Sequence, residues 1–496
     1  MNNTFYNALN NNTNFTRTEN GALAHSSTGS AVYDLFALGA AMRGRNASDI
    51  IDIFAKAYDE DKTLALRCLF YIRDARFGQG ERNFFRICMK WLAEHDEPVA
   101  REMVKWFSTY GRYDDLFCLW GTNVRSKVVE TITFQLMEDL DPQNAPSLLA
   151  KWLPSENASS RATRNLAREL ARALTLTPRA YRKMLSALRT RINIVERLLS
   201  EKRYYAIDFK TIPGQAMQKY RKAFMSRPEL AARFKEFVEN KNTKINAGTL
   251  TPFDIVHKAD AEYRLPSREE REYLQKAWTS LPDYFNGHAS DMICVVDTSG
   301  SMTDTIKGSS ATALEAAMSL GIYTAEHLAA PFKNSIISFS DHPKFIKFGG
   351  YDDIVDKIKT VYRNSEVADT NLTGVFDLLY NTARTPGVRP EDVPSTIVVI
   401  SDMEINQGAS GGWSYHAETE METVRRKWAA AGLKMPRLIY WNVMARHNII
   451  LENANAPVSF VSGFSPTIFT AILTGKTGID MMLEVLNSKR YIDIHA

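Results

Sequence analysis

The spacing of apolar residues divides the chain into two parts with different periods. From Ser48 to about Leu199, apolar residues recur about every 3.6 residues, for example at Leu66, Leu69 and Phe70, which is typical of amphipathic helices. Helices of about 12 to 20 residues joined by short turns, without strand patterns, indicate stacked helical pairs. We therefore predict a HEAT-like helical repeat domain from helix length and turn spacing alone, because the sequence contains no clean repeat.

The pattern changes around residues 282–290. After this point the apolar residues form short bursts, and helical stretches at Ala311–Ala329 and Leu372–Ala383 lie between them. The bursts are MICVV, SIISF, TIVVI, RLIYWNV and VSFV. Such an alternation predicts a doubly wound α/β domain, with a parallel sheet covered on both faces. Ligands of such sheets bind at the carboxyl ends of the strands.

The length and composition of the chain indicate the number of domains and the cellular compartment. With 496 residues, 45% hydrophobic and 24% charged, the chain is long enough for two or more domains. We predict a flexible, Asn-rich arm at residues 1–20, the helical domain at 21–286 and the α/β domain at 287–496. No run of about 18 apolar residues predicts a membrane span, and the polar N-terminus lacks the pattern of a secretory signal. The four cysteines form no CxxC pair, so we expect buried free thiols and a cytoplasmic location.

The first apolar burst ends in an unusual group of polar residues. The segment DMICVVDTSGSM places Asp297 at the carboxyl end of a predicted strand, with Ser299 and Ser301 two and four residues later. In a tight loop these three side chains can converge on one point. The position after a buried strand makes this loop a candidate ligand site.

Two later segments carry similar side chains. The segment VADTNLTGVF offers Thr370, with Thr373 as a substitute, and Asp402 follows the apolar run IVVIS. A set of oxygen ligands with only two carboxylates suits a hard divalent cation and leaves it open to an outside oxygen. We predict a site for Mg²⁺, or for Mn²⁺ or Ca²⁺, formed by Asp297, Ser299, Ser301, Thr370 and Asp402.

This arrangement resembles the metal-ion-dependent adhesion site of von Willebrand factor A domains, whose pattern is D-x-S-x-S followed by a Thr and an Asp. The resemblance runs from residue 290, approximately, to the C-terminus. It implies a metal that binds an acidic residue of a protein partner. The alternative is a vestigial site, in which the Ser and Thr side chains only cap helices.

Enzymatic interpretations of the same residues are weaker. Aspartic proteases use Asp-Thr-Gly, whereas a Ser intervenes here, and the chain has no Walker A motif. Near Ser299 and Ser301 there is no G-x-S-x-G elbow and no histidine close in sequence. A hydrolase could use Asp297, Asp402 and Glu404 around the metal, but two-metal hydrolysis usually needs more carboxylates. We therefore expect no enzymatic activity.

The uneven distribution of charge points to a second candidate site. The net charge of the chain is +4, but residues 151–244 contain 22 Lys and Arg against 8 Asp and Glu. A cationic helix face attracts phosphates, and adjacent aromatic rings can stack on unpaired bases. The aromatic candidates are Tyr204, Tyr205, Tyr220 and Phe224. The predicted RNA-binding residues are Arg161, Arg164, Arg168, Arg172, Arg179, Arg182, Lys183, Arg189 and Arg191. The alternative interpretation is a solvated helix face whose aromatic residues point into the core.

The two halves together resemble the Ro ribonucleoprotein (TROVE) architecture, in which a ring of helices binds RNA and an A domain completes the ring. A closer resemblance is to the family of domain of unknown function 2828, which is thought to share that architecture. The segments that carry it are Thr18–Phe36, Leu69–Arg86, Tyr110–Leu116 and Val399–Asn406. The resemblance implies a non-enzymatic, RNA-binding ring protein whose A domain recruits a partner through Mg²⁺, with no role for a membrane. The alternative is a protein-interaction scaffold that grips an acidic residue of a partner and binds no RNA.

Overall fold

The computed structural model describes residues 14–192, 194–259, 266–288, 290–307, 310–365, 370–406, 419–452 and 457–496. Within this part, the chain packs into two compact units. The sheet unit comprises residues up to 72, residues 77–84 and residues 250–495, and the helical unit comprises residues 73–76 and 85–249 together with residue 496. Each unit therefore joins segments that are distant in sequence, whereas the predicted domains are continuous; those predicted boundaries stay predictions.

The bounds of the regular elements follow. The strands are β1 (Phe15–Arg17), β2 (Leu23–His25), β3 (Met292–Asp297), β4 (Ser335–Phe339), β5 (Lys344–Lys347), β6 (Thr396–Ser401), β7 (Arg437–Asn442) and β8 (Val458–Ser462). The helices before the helical unit are α1 (Ala31–Leu38), α2 (Ala47–Glu60) and α3 (Lys62–Arg73). The next are α4 (Arg82–His95), α5 (Glu97–Met103), α6 (Phe107–Tyr110), α7 (Arg125–Leu140), α8 (Leu149–Trp152), α9 (Arg161–Ala173), α10 (Pro178–Ile192), α11 (Val195–Ser200), α12 (Gly214–Met225) and α13 (Pro228–Glu239). The last are α14 (Pro252–Ala259), α15 (Arg268–Thr279), α16 (Ala313–His327), α17 (Ile354–Asn364), α18 (Leu372–Ala383), α19 (Glu420–Ala430), α20 (Phe469–Ile472) and α21 (Gly478–Leu486).

The core of the sheet unit is a six-stranded sheet in the order β5-β4-β3-β6-β7-β8. Its pairings are parallel except that β5 runs antiparallel to β4 at one edge. Every residue of β3 and β6 is buried, as the continuous apolar bursts predict for strands covered on both faces. The predicted mixed architecture, a helical N-terminal region followed by a largely parallel α/β sheet, is confirmed, and it is consistent with an A-domain-like fold.

The N-terminal segment packs onto this sheet as part of the same unit. The strands β1 and β2 form a short hairpin, and His25 exchanges two backbone hydrogen bonds with Ile450, of 2.8 and 2.9 Å. Further along, the backbone amide of Phe460 in β8 donates to the Tyr33 hydroxyl in α1 at 2.9 Å. Residues 1–13 of the predicted arm lie outside the described residues, and residues 14–20 contain β1.

In the helical unit, a buried carboxylate accepts hydrogen bonds from several segments. Arg73 donates to Asp115 Oδ2 at 2.6 Å, and Arg86 donates to Asp115 Oδ1 at 2.7 Å. The Asp115 side chain is fully buried and also accepts the backbone amide of Arg112, at 3.0 Å. A buried carboxylate needs this many donors to be stable, so Asp115 fixes three segments of the unit together. The HEAT-like repeat itself stays a prediction.

Two further expectations concern the whole chain. In the part that the structure describes, no helix is long and apolar enough to cross a membrane. None of the four cysteines is in a disulfide: Cys68, Cys88 and Cys294 are buried, and Cys118 is partly buried. Burial in apolar surroundings raises the pKa of the Cys294 thiol to about 12, which makes it a poor nucleophile.

Candidate metal site and basic helical face

The predicted metal ligands lie where the strand order of the sheet reverses. Strands β3 and β6 are parallel neighbours, and Val296 pairs with Ile400, so Asp297 and Ser401 come side by side at the carboxyl edge. The Ser401 hydroxyl donates to Asp297 Oδ2 at 2.5 Å. Because the chain turns to β4 on one side of β3 and to β6 on the other, this edge is a topological switch point. Open α/β sheets bind their ligands at such points.

The loop after β3 brings its hydroxyls together. The backbone amide of Ser299 donates to Asp297 Oδ1 at 2.9 Å, which folds the loop back over the strand end. A short 3₁₀ turn follows at Gly300–Thr303, and the hydroxyl oxygens of Ser299 and Ser301 lie 3.3 Å apart. Asp297 and Ser299 are completely buried. The structure thus places these three predicted ligands in one cluster.

Thr370 is held beside the same edge by its backbone. Its carbonyl accepts the amide of Asn406, which follows β6, at 3.0 Å. The next residue, Asn371, donates its amide to Ser340, which follows β4, at 3.0 Å. The substitute considered from the sequence, Thr373, instead donates its hydroxyl to Glu420 at 3.0 Å. Thr370 is therefore the threonine anchored between the carboxyl ends of β4 and β6.

Asp402 is a buried acid with one unpaired oxygen. Its side chain is buried, Oδ1 accepts the amide of Glu404 at 3.1 Å, and Oδ2 has no hydrogen-bond partner in the described part of the chain. Burial, and then the charge of nearby Asp297, raise the pKa of Asp402 to about 7. Burial also raises the pKa of Asp297 above its usual range. The next residue, Met403, has a φ of +65°, a left-handed backbone conformation that few non-glycine residues adopt.

These features fit a bound cation. Two buried carboxylates repel each other and raise each other's proton affinity, and a divalent cation between them removes that repulsion. The unpaired Asp402 Oδ2 supplies a free ligand atom, and the converging Ser299 and Ser301 supply neutral ones. The described residues contain no group of three or more His, Cys, Asp or Glu side chains that could hold a metal ion. A metal here would depend on hydroxyl oxygens, as expected for a hard cation such as Mg²⁺.

An arginine that sequence reasoning missed lies beside the site. Arg446 follows β7, and its Nη2 donates to the Ser301 carbonyl at 2.6 Å. The same nitrogen lies 3.1 Å from Asp304 Oδ2 and 3.5 Å from Asp402 Oδ2, while Nη1 lies 3.4 Å from Glu19 Oε2. The 3.5 Å approach to Asp402 is an ion pair without hydrogen-bond geometry, since Oδ2 has no hydrogen-bond partner. Its position just past the carboxyl end of a strand could have identified it from the sequence, because open α/β sheets bind their ligands there.

Glu404, proposed as an extra carboxylate for hydrolysis, is already engaged. It is buried, Oε2 accepts the amide of Glu19 at 2.6 Å, and Oε1 lies 2.9 Å from His447 Nδ1. The N-terminal hairpin continues this contact, because Thr18 donates to the Ile405 carbonyl at 2.6 Å. Glu404 therefore ties the loop after β6 to the N-terminal segment.

On α9, three of the predicted RNA-binding arginines form an exposed face. Arg161, Arg168 and Arg172 are spaced by seven and four residues, so they point to the same side of the helix. All three are exposed, and within the described residues their side chains donate no hydrogen bond and form no ion pair. Arg164 differs, because its Nη1 donates to the carbonyls of Ala158 and Ser159 at 2.8 and 2.7 Å. Arg164 stabilises the turn before its own helix.

On α10, which packs beside α9, the predicted RNA-binding residues also divide into exposed cations without a partner and cations that contact other residues. Arg179 and Lys183 are exposed, and their side chains have no partner in the part of the chain that the structure describes. Arg182 is exposed and pairs with Glu156. Arg189 donates to the carbonyls of Ala150 and Leu153 and to the Ser155 hydroxyl, at 2.8 to 3.0 Å. Arg191 donates to the backbone carbonyls of Asp139, Asp141 and Asn144.

The aromatic candidates also separate. Tyr205 is 80% exposed, and Phe224 is fully buried in a cluster with Phe209 and Phe234. Tyr204 accepts a hydrogen bond from Arg227 at 3.2 Å, and Tyr220 is half-buried. Only Tyr205 of the four presents most of its ring to solvent. Phe224 follows the alternative interpretation, in which the aromatic residues of this segment form core.

Two family models match different parts of the chain. Residues 18–109 and 133–284 match the family model "Domain of unknown function (DUF2828)". This range contains the predicted segments Thr18–Phe36 and Leu69–Arg86, so the resemblance of the N-terminal half to that family is supported. Residues 291–491 match a different model, "Domain of unknown function (DUF7788)". The A domain that the sequence predicts for this half stays a prediction.

Two relatives extend over most of the chain. "Uncharacterized protein L728" of Acanthamoeba polyphaga mimivirus is 29% identical over 518 aligned positions, which cover 95% of this chain and 87% of that protein. Among solved structures, the "Crystal structure of Deinococcus radiodurans RO (RSR) protein" matches with 12% identity and a TM-score of 0.36. That match covers 93% of this chain and all of the other.

Proposed function

We propose that this chain is a Ro-like RNA-binding protein whose helical unit holds RNA on the exposed face of α9 and α10. The supporting observation is that Arg161, Arg168, Arg172, Arg179 and Lys183 are exposed and, within the described residues, serve no structural contact. Free, closely spaced cations attract phosphates because RNA binding releases condensed counterions. Exposed Tyr205 adds a ring on which an unpaired base can stack.

The experiment measures retention of a mixed cellular RNA pool by the purified full-length chain across a salt series. The variant changes Arg161, Arg168 and Arg172 together to Glu. A matched control changes three exposed lysines of the sheet unit, Lys333, Lys434 and Lys489, to Glu. We expect the first variant to lose RNA near physiological salt and the control to keep most of it. Equal retention by both variants, or no retention by the native chain, would exclude the α9 face as the binding site.

In the same proposal, the strand-end site holds Mg²⁺ and recruits a partner. Asp297, Ser299, Ser301, Thr370 and Asp402 would hold the ion, which supplies a Lewis acid for an outside carboxylate or phosphate oxygen. Two carboxylates balance the charge of a divalent ion, but the five side chains do not fill a coordination shell of six or more oxygens, so an outside oxygen can still bind. The buried, unpaired Asp402 Oδ2 is the observation that favours this assignment over a vestigial site.

A second candidate function is a protein-interaction scaffold that uses only this metal site. Proteins captured from a lysate by the native chain in Mg²⁺ are compared with those captured in EDTA and by Asp297→Asn. If the scaffold function is correct, one set of acidic proteins disappears under both conditions, and the native chain retains no RNA. Capture that survives both treatments means that the site does not recruit partners through a metal.

A further inference from the structure

Three side chains of the sheet unit that are not among the predicted metal ligands form a chain of contacts. Ser310 Oγ lies 3.1 Å from His257 Nε2. On the other side of the imidazole, His257 Nδ1 lies 3.0 Å from each carboxylate oxygen of Glu315. His257 is in α14, and Ser310 and Glu315 flank the start of α16, the helix against which α14 packs. Neither RNA binding nor metal binding uses these residues.

The carboxylate end of this chain is fixed in place. Glu315 Oε2 accepts the amide of Thr312 at 2.9 Å, and Thr312 Oγ1 accepts the amide of Glu315 at 3.2 Å, which is a capping box. The Glu315 side chain is only 9% exposed. A carboxylate held this way cannot swing to another partner without uncapping α16. It therefore serves as a stable acceptor for the neighbouring imidazole.

The imidazole is oriented by both its neighbours. A carboxylate accepts hydrogen bonds only, so the Nδ1 facing Glu315 carries the proton of the neutral ring. The Nε2 lone pair then faces the Ser310 hydroxyl. The His257 ring also stacks on Phe253, with centroids 5.5 Å apart and planes 15° apart, which limits its rotation. Ser310 itself is exposed and accessible to a substrate.

A hydroxyl, an imidazole and a buried carboxylate in this order are the parts of an activated nucleophile, and both contacts are within hydrogen-bond reach. We propose that Ser310 is a nucleophile, His257 its general base and Glu315 the residue that positions His257. The substrate class is an unhindered carboxylic ester, because Ser310 lies at the surface. Ser310 is two residues before the N-cap of α16, whose positive end favours a nearby oxyanion.

The reaction conserves atoms and charge. Ser310 Oγ bonds to the ester carbonyl carbon while its proton passes to His257 Nε2. The bond from that carbon to the alcohol oxygen then breaks, and the alcohol leaves with the proton from His257. Water attacks the acyl-serine, His257 takes a proton from it, and the carboxylic acid leaves as Ser310 regains its hydroxyl proton. Glu315 stabilises the imidazolium that forms in each half and is not protonated itself.

The test uses a fluorophosphonate probe, which phosphonylates activated serines, on the intact chain. The modified residue is located by peptide mass spectrometry, and the rate is measured for the native chain and for Ser310→Ala, His257→Gln and Glu315→Gln. Gln at position 315 still accepts the Thr312 amide, so the helix cap is retained. The neighbouring Ser309→Ala is the matched control. Unfolding temperatures show whether each variant is folded.

We expect labelling at Ser310 in the native chain and in Ser309→Ala. Loss of the base in His257→Gln should slow labelling by about 100-fold or more. Glu315→Gln should slow it as well at unchanged unfolding temperature, because the amide no longer stabilises the imidazolium; a merely structural residue would not change the rate. Absence of label at Ser310, or an equal rate in His257→Gln, overturns the proposal. Labelling unaffected by Arg161, Arg168 and Arg172 substitution separates this activity from RNA binding.

Discussion

At the scale of single residues, Asp402 carries the most information. A buried carboxylate oxygen without a partner is costly, and native proteins keep such groups where something else completes them. Here the neighbouring acid Asp297 adds repulsion, and Met403, the next residue, adopts a left-handed backbone conformation. The cation that we propose for this site would be the missing partner of both acids. The only cation that the structure describes beside Asp402 is the Arg446 guanidinium, which lacks hydrogen-bond geometry to Oδ2.

The first prediction concerns metal affinity. Asp402→Asn should abolish Mn²⁺ binding measured by titration calorimetry on the full chain, because it removes one of two charged ligands. Protons compete for the same oxygens, and the pKa of Asp402 is raised to about 7. Mn²⁺ should therefore bind more weakly at pH 6, where Asp402 is protonated, than at pH 8, where it is ionised.

Asp341→Asn is the matched control, since Asp341 follows β4 and its side chain is 53% exposed. This variant should bind Mn²⁺ like the native chain. If Asp402→Asn binds as tightly as the control, Asp402 is not a ligand.

The second prediction concerns Arg446. Its charge lies 3.5 Å from Asp402 Oδ2 and competes with a metal for that oxygen. Arg446→Met should raise Mn²⁺ affinity by roughly tenfold, which corresponds to about 1.4 kcal/mol. The exposed Lys434→Met should leave the affinity unchanged. A decrease in affinity for Arg446→Met would mean that the guanidinium supports the site instead of competing with it.

At the scale of elements, the basic helices separate structural cations from free ones. Arg189 in α10 makes three hydrogen bonds to a preceding segment, and burial lowers its pKa. Arg172 in α9 is exposed, and no partner for its side chain lies among the described residues. Both are arginines on amphipathic helices of the same unit. Only Arg189 contributes to the fold. Substitution of Arg189 should therefore lower the stability of the chain, whereas substitution of Arg172 should weaken RNA binding.

The third prediction follows from this difference. Arg189→Met should lower the free energy of unfolding by about 2 to 4 kcal/mol, because it leaves two carbonyls and a hydroxyl without their charged donor. Arg172→Met should change it by less than about 0.5 kcal/mol, as is usual for exposed positions. Urea denaturation followed by circular dichroism measures both. Similar losses in the two variants would mean that the arginines of this unit do not divide into these classes.

Elements also show what the sequence could and could not predict. Strands β3 and β6 could be predicted because continuous apolar runs indicate burial on both faces. The ligand positions could be predicted because open α/β sheets bind their ligands at the carboxyl ends of the strands. The edge strand β5, KFIK, was missed because it is short and its lysines and exposed phenylalanine give no apolar run. Helical spacing alone groups Arg164 and Arg189 with the exposed arginines, because it does not reveal that their guanidinium groups donate to backbone carbonyls.

The proposed triad of Ser310, His257 and Glu315 could not be predicted from the sequence. His257 precedes Ser310 by 53 residues, and only the packing of α14 on α16 brings them together. Sequence proximity, which correctly gathered Asp297, Ser299 and Ser301 in one loop, carries no information about such a pair. Contacts between distant elements depend on tertiary packing that periodicity does not specify.

At the scale of the whole molecule, the basic segment and the predicted metal site lie in different units. The excess of basic residues falls in residues 151–244, within the helical unit, while the two predicted acidic metal ligands, Asp297 and Asp402, fall in the sheet unit. Charge separated in this way suits a chain that attracts a polyanion with one surface and a cation with another. The two activities should therefore be separable by mutation, each with the other intact.

The most direct test of the central claim, that the α9 face binds RNA, is the salt dependence of affinity for a defined single-stranded RNA. Fluorescence anisotropy gives Kd for the native chain, for the triple change of Arg161, Arg168 and Arg172 to Gln, and for the matched change of Lys333, Lys434 and Lys489 to Gln. Each lost phosphate contact lowers the slope of log K against log salt concentration by about 0.7 to 1. We predict that the triple arginine variant loses a slope of about 2 and binds at least tenfold more weakly, while the lysine variant matches the native chain. A native slope near zero, or equal slopes for all three proteins, would contradict the claim.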